Sequence, residues 1–422
     1  MKLANLARQH RLSLSTLLLP FLSMLLLLGL LHHNLSSRLR FPDGADQDVH
    51  VASARNFIHN FTFEAKCPLY TAWLSLFCAL GKDDPARCFL LEKYVSVFLL
   101  SLLTAYLGTA LFDKRTGLLL GFWMLNAKYL LLEPNGSNAL AAIMFVASAL
   151  SLCLHHRAIR LPLSLFFFFL STLARPEMRL PFLIVLMFVL VRGAIRLARR
   201  RKRAEKGAAI LPGRAVSYWA AAIILSLALS VIINNNLDSN RWSISNAFFL
   251  GFAVNYVARH NLAEQFPRPW ASAYEIIPRA MPEVKDPIDA PGMSGLIHTI
   301  QLYPQEFITH VLYNVKVAAR VLPAMVLGFD SRLLMLLALA AHLGSYFFIK
   351  GSRRENYRQT PRALWQELLV WGLAATLVVP VSFVILVLWR YYIPLIPIGM
   401  IAVCFIIHRV LDRIQGSIHP RD

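Results

Sequence analysis

Two aspartates one residue apart, Asp46 and Asp48, stand in FPDGADQD (41–48), just after a long apolar run. A carboxylate there can serve as a general base that takes the proton of an acceptor hydroxyl. The same pair could instead hold a divalent cation, Mg or Mn, through hard oxygen ligands. The plainest alternative is a solvated turn with helix-capping aspartates. Cations recur far along the chain, at Arg175 and Arg179 in ARPEMR (174–179), at Arg390 in WRYYIP (389–394) and at Lys128. Arginine forks match phosphate oxygens and keep their charge when partly desolvated. The competing roles are snorkelling to a membrane interface, for Lys128 above all, or pairing with Glu133 or Glu177. His298, Glu306, His310 and Lys316 lie in a later polar segment and could add contacts or a metal ligand.

These residues must be positioned by apolar segments. The chain is 57% hydrophobic and 16% charged, against about a quarter charged for ordinary soluble domains. Its mean hydropathy is +0.53. The apolar residues come in runs such as Leu14 to Leu31, Val95 to Phe112 and Leu368 to Leu388, near the roughly 20 residues that a bilayer-crossing helix needs. Spans are expected at 13–32, 90–112, 117–132, 138–154, a pair around 174–179, 215–233, 332–349, 364–388 and 391–408. Pro176 disfavours helix at Arg175, so a break is expected between the paired spans. The expected fold is all-α and polytopic, with about ten transmembrane helices and interfacial helices at 68–80 and 306–327. It divides into an N-terminal membrane module (1–233), a large outer loop (234–330) and C-terminal spans (331–422).

The net charge of +20 has a membrane explanation. Basic residues cluster between apolar runs, most densely in RGAIRLARRRKRAEKG (192–207), as the positive-inside rule requires. Acidic lipid headgroups are secondary partners for such a run. No aromatic interleaving or nucleic-acid motif accompanies it, so nucleic acid is excluded as a partner. Treating 306–327 as interfacial keeps every strongly basic loop on the inner side; treating it as a span puts KGSRRENYRQTPR (350–362) outside. Lys2, Arg8 and Arg11 precede the first apolar run, but LLHHNLSS offers no small-residue cleavage site, so that run reads as an uncleaved anchor. The five cysteines form no CxxC and read as free thiols, although Cys67 and Cys88 could pair if both face an oxidising compartment. Sequons at Asn34, Asn60 and Asn135 matter only in a eukaryotic host.

With this topology FPDGADQD, EPNGS (133–137), ARPEMR and WRYYIP all fall at outer ends of spans. Their order resembles the GT-C glycosyltransferases, membrane enzymes that use polyprenyl-phosphate sugars. The branch most similar contains protein O-mannosyltransferases and lipid A aminoarabinose transferases. The resemblance covers most of the chain and rests on short motifs. Where that family often has Asp-Glu, an aromatic and then Ala, GADQDVHVASA puts Asp46 at the catalytic aspartate, His50 at the aromatic and Ala54 at the Ala. Gln47 replaces the second acid, and Asp48 is its possible substitute. The resemblance implies that Asp46, with Asp48, is catalytic. It places Arg390, Tyr391, Arg175 and Lys128 around the donor phosphate, and His50, Glu133, Glu177 and His298 near the substrates.

The expected activity is transfer of a sugar from a polyprenyl-phosphate donor to a hydroxyl of a glycolipid, glycan or protein acceptor. The expected setting is a bacterial inner membrane, with the site facing the periplasm and membrane lipids around it. A transporter or flippase for a lipid-linked sugar and a non-catalytic member of an envelope complex are the alternatives. Flippases commonly carry inverted repeats and broken midplane helices, which the sequence does not display.

Overall fold

The computed structural model describes residues 29, 45–60, 67–81, 84–132, 136–154, 157–204, 244–284, 294–328, 332, 335–337, 339, 340, 342, 343, 362–384 and 389–418. Among these residues the protein is helical, without a strand. The chain runs through α1 (Ala45–Asn60), α2 (Pro68–Leu80), α3 (Pro85–Leu111), α4 (Lys114–Leu125), the short α5 (Lys128–Leu132), α6 (Ser137–Leu152) and α7 (Arg157–Ala174). A 3-10 turn at Pro176–Met178 leads into α8 (Arg179–Ala204). Next come α9 (Ile244–Arg259), α10 (Ala273–Ala280), α11 (Ser294–Leu302) and α12 (Pro304–Leu327). Then follow α13 (Arg362–Thr376), α14 (Val378–Val384), a second 3-10 turn at Trp389–Leu395 and α15 (Ile396–Ile418).

Local chemistry explains several boundaries. Asp84 caps α3 by accepting from the Ala86 and Arg87 amides, and Pro85 fills the first turn, where no amide is needed. Asp113 caps α4 through the Thr116 amide at 2.8 Å. Arg175 is extended ahead of Pro176, so α7 stops at Ala174. Inside the helices, hydroxyls with no water to meet bond back one turn: Ser101 to the Val97 carbonyl and Thr104 to the Leu100 carbonyl, each at 2.7 Å.

Five helical stretches are long and apolar enough to cross a bilayer: Pro85–Leu111, Pro176–Ile195, Pro304–Leu327, Leu364–Val384 and Tyr392–Leu411. Pro68–Leu80, Ser137–Leu152, Ile159–Ala174 and Ala247–Arg259 are apolar but shorter. The protein is thus all-α with membrane-spanning character, with five such helices among the described residues where ten spans were expected. The expected spans at 13–32 and 215–233 lie outside the described residues, apart from residue 29, and 332–349 is described only at scattered positions. All five cysteines are free.

The bundle has two chemically different ends. At the end carrying Lys114 and Arg115, Thr116 Oγ1 meets His408 Nε2 at 2.8 Å, and the His408 ring stacks on Phe112. His342 lies edge-on to the same ring, 6.1 Å away. Glu367, buried, accepts from Arg160 at 3.2 Å and from Arg192 at 3.0 Å. The opposite end holds the turn at Arg175, the start of α6 and the Trp389–Leu395 turn, where Tyr392 Oη and Ser382 Oγ are 2.5 Å apart.

α12 departs from the interfacial role expected of 306–327. Near its start, His310 Nε2 lies 3.1 Å from the Val384 carbonyl, and Asn314 donates to the Phe383 carbonyl at 2.8 Å. Those carbonyls end α14, at the motif-bearing end of the bundle. Near the other end of α12, Trp123 Nε1 donates to the Val326 carbonyl at 3.0 Å, and a Cβ on Gly399 would meet a Val326 methyl at 2.6 Å. α12 therefore packs into the bundle from the motif end, with its last turn against α4 and the start of α15. It stops where α4 is interrupted: the Lys128 amide donates to the Gly328 carbonyl at 3.0 Å. His342 beside His408 places the following segment at the basic end, opposite the start of α12.

A second core of Phe248, Phe249, Phe252, Ile276, Ile277 and Met281 joins α9, α10 and α11 to the start of α12. Below it, Asn255 donates to Asn314 at 2.8 Å and meets His310 Nδ1 at 3.1 Å. This buried triad ties the cap to the end of α14.

Candidate active site

The site is assembled from helix ends. Asp46 and Asp48 fall in the first turn of α1; their side chains lie outside the described residues. Positions two apart on a helix lie on different faces. No cation-dependent step is derived from the Asp-x-Asp pair. Among the described residues, no group of three or more His, Cys, Asp or Glu is placed to hold a metal.

One turn along α1, His50 is buried with its ring edge-on to Tyr70, at a centroid distance of 5.3 Å. Tyr70 is fully buried on α2, and its hydroxyl accepts from the Gly136 amide at 3.2 Å. α2 carries a second anchor, Trp73, whose Nε1 donates to Glu92 at 3.1 Å and to Ser96 Oγ at 3.2 Å. Ser96 in turn donates to Glu92 at 2.6 Å. Glu92 is buried in α3, and its carboxylate presses against Gly136 so closely that a Cβ there would collide with it. Only glycine admits that approach of backbone and carboxylate.

Gly136 opens α6 without a side-chain cap. A helix start of this kind presents backbone donors and favours negative charge. Ser137, the next residue, accepts from Arg175 Nη1 at 3.2 Å. Asn138, in the same turn, is 1% exposed, and its Nδ2 has no hydrogen-bond partner among the described residues. Buried donors of this kind usually find water or a ligand.

Arg175 realises the pairing alternative for that residue. Its Nε and Nη2 grip the Glu177 carboxylate at 3.1 and 2.9 Å in a two-point fork. The third contact, to Ser137, fixes the turn against the start of α6. Arg175 is therefore a built-in strut of the rim rather than a loose cation. Arg179 is exposed at the start of α8.

Arg390 and Tyr391 belong to the Trp389–Leu395 turn, with side chains outside the described residues. That turn packs on α6, α5 and α12, and α14 packs on the Pro176–Met178 turn. The Arg390 and Arg175 segments thus converge on one end of the bundle. Glu133 lies outside the described residues. Lys128 has an exposed side chain, and its backbone meets Gly328. His298 is exposed on α11, on the cap. The contacts above therefore bring together His50, Arg175 and Glu177 of the residues singled out from the sequence, but not Lys128 or His298.

Tyr70, Trp73, Glu92, Ser96, Ser137 and Asn138 were missed by the sequence reading. For Glu92 a signal existed: the acid and base of LLEKYVSV sit inside the run assigned to a span, where ionisable residues mark function. Glu92 and the adjacent Lys93 are both buried.

Compared with family models, curated proteins and solved structures, the chain matches none.

Proposed function

We propose that this protein is a glycosyltransferase of the GT-C kind, acting at the motif-bearing end of its bundle on a polyprenyl-phosphate sugar. The observation that carries this reading is the meeting of α1, α2, the start of α6, the Arg175 turn and the Trp389–Leu395 turn at one rim. These are the segments whose order resembles that family, and packing links segments hundreds of residues apart.

In the proposed reaction the Asp46 carboxylate takes the proton of an acceptor hydroxyl. The hydroxyl oxygen attacks the anomeric carbon and forms the new C–O bond with inversion. The bond from that carbon to the donor phosphate breaks, and polyprenyl phosphate leaves with the electron pair. Arg390, supported by Tyr391, stabilises the leaving phosphate, assisted by the uncapped start of α6. Arg175 and Glu177 hold that start in place, and Glu92 fixes its approach to α3. The donor would enter from the bilayer, and the acceptor would be a glycolipid, glycan or protein. The matching setting is a bacterial inner membrane, with this rim on the periplasmic side.

The test is turnover by purified protein. Asp46→Asn should lower release of polyprenyl phosphate by about 10²- to 10⁴-fold while insertion and thermal stability hold. Wild-type turnover in that variant removes Asp46 as the base.

One observation favours the second reading, a flippase for a lipid-linked sugar. The helix break between α4 and α5 meets the end of α12 inside the bundle, and transporters commonly build substrate sites from interrupted helices. Movement of the sugar-lipid across the bilayer with its phosphate bond intact would support that reading and sink the enzyme.

A further inference from the structure

At the basic end, α7, α8 and α13 form a groove whose lining includes Leu161, Phe188, Trp371 and Gly193, together with Arg192 and Glu367. The charges in it do not balance. Glu367 is buried and accepts from Arg160 at 3.2 Å and from Arg192 at 3.0 Å, so one carboxylate serves two guanidiniums. Arg160 already offsets its charge from outside the groove lining. Arg192 lines the groove and adds a positive charge that no second carboxylate offsets among the described residues. It spends one terminal nitrogen on Glu367 and lies 6.0 Å over the Phe188 ring. Its Nε and second terminal nitrogen have no hydrogen-bond partner among the described residues.

The surroundings say what such a groove meets. Met187, Val191 and Ile195 on α8 and Leu369 and Leu373 on α13 are exposed apolar side chains, which in a membrane protein face lipid. Arg192 lies near one end of the apolar stretch Pro176–Ile195, at the depth where apolar helix gives way to the basic run that follows it.

We infer that the groove binds an anionic glycerophospholipid of the leaflet at the basic end, with its phosphate on Arg192 and an acyl chain over the exposed apolar side chains of α8 and α13 beside it. The charge argument selects the headgroup. The surplus positive charge and the basic run favour a headgroup of net negative charge over a zwitterionic one, whose ammonium would be repelled.

The experiment is native mass spectrometry of the full chain released from nanodiscs made with equal amounts of phosphatidylglycerol and phosphatidylcholine. Wild-type protein should retain phosphatidylglycerol in preference to phosphatidylcholine. Arg192→Gln leaves Glu367 paired with Arg160 and should weaken that preference roughly fivefold. Gly193→Phe changes no charge, and a Cβ at this position meets nothing within 4 Å. Its ring should block the groove and displace the lipid while the melting temperature in detergent stays put. Equal retention of both lipids by the wild type, or a preference that survives both substitutions, overturns the proposal. Selective retention of added polyprenyl monophosphate over phosphatidylglycerol would overturn it too, because the groove would then belong to a carrier lipid.

Discussion

The two ends of the bundle spend their polar residues differently. At the basic end the buried groups are few and their partners follow from helix packing: Thr116 with His408, and Glu367 between Arg160 and Arg192. The surplus there is positive and suits a leaflet rich in acidic lipid. At the other end, His50, Tyr70, Trp73, Glu92, Ser137, Arg175 and Glu177 come from several segments and interlock. A membrane helix gains nothing from burying Glu92, because a carboxylate away from water costs several kcal/mol unless it is fully bonded. Packing and orientation account for the first set of polar groups. They leave the second without a purpose, which is why chemistry is assigned to that end.

Substitutions can break this contrast. The largest effect on turnover is expected from Asp46→Asn, as described above, with no matching loss from any change at the basic end. Next, Gly136→Ala forces a Cβ into the Glu92 carboxylate and should cost about 3 kcal/mol in thermal unfolding, within the range for overpacking. In a Glu92→Ala background the same change should cost under about 1 kcal/mol, because the colliding group is gone. Equal costs in both backgrounds would refute the contact. Glu367→Gln leaves Arg160 and Arg192 facing each other and should lower stability by roughly 2–3 kcal/mol, with turnover per folded molecule unchanged. Thr116→Val removes the bond to His408 and should cost about 1 kcal/mol, again without loss of turnover. A basic-end variant that folds normally yet fails to turn over would dissolve the distinction between the ends.

Much of the framework was legible in the sequence. Apolar runs announced helices, and Pro176 announced the break at Arg175. What stayed hidden depends on pairing across distance. No local pattern says that Gly136 must be bare because Glu92 lies against it. Glu92 and Lys93 are visible as charges in an expected span, but nothing local in the sequence names their partners across the bundle. α12 was misjudged for a different reason. His310, Lys316 and Arg320 suggested a helix lying flat, yet they do not share one environment. His310, Asn314, Ala318 and Met325 form a narrow buried stripe, while Lys316 and Arg320 are exposed. A helix can enter a bundle on such a stripe, and average amphipathicity does not reveal it.

The meeting of α12 with the α4–α5 interruption also bears on how the protein is made. The amide of Lys128 donates to the Gly328 carbonyl and Trp123 Nε1 to the Val326 carbonyl, inside a membrane bundle where an unmet backbone group costs several kcal/mol. The ribosome delivers residue 128 roughly two hundred positions before residue 328. Over that interval the Lys128 amide needs another partner, such as water, lipid or the insertion machinery. The last third of the chain acts as the keystone of the first, and a chain halted before residue 328 should be a substrate for membrane quality control even though α3 and α4 are already in place.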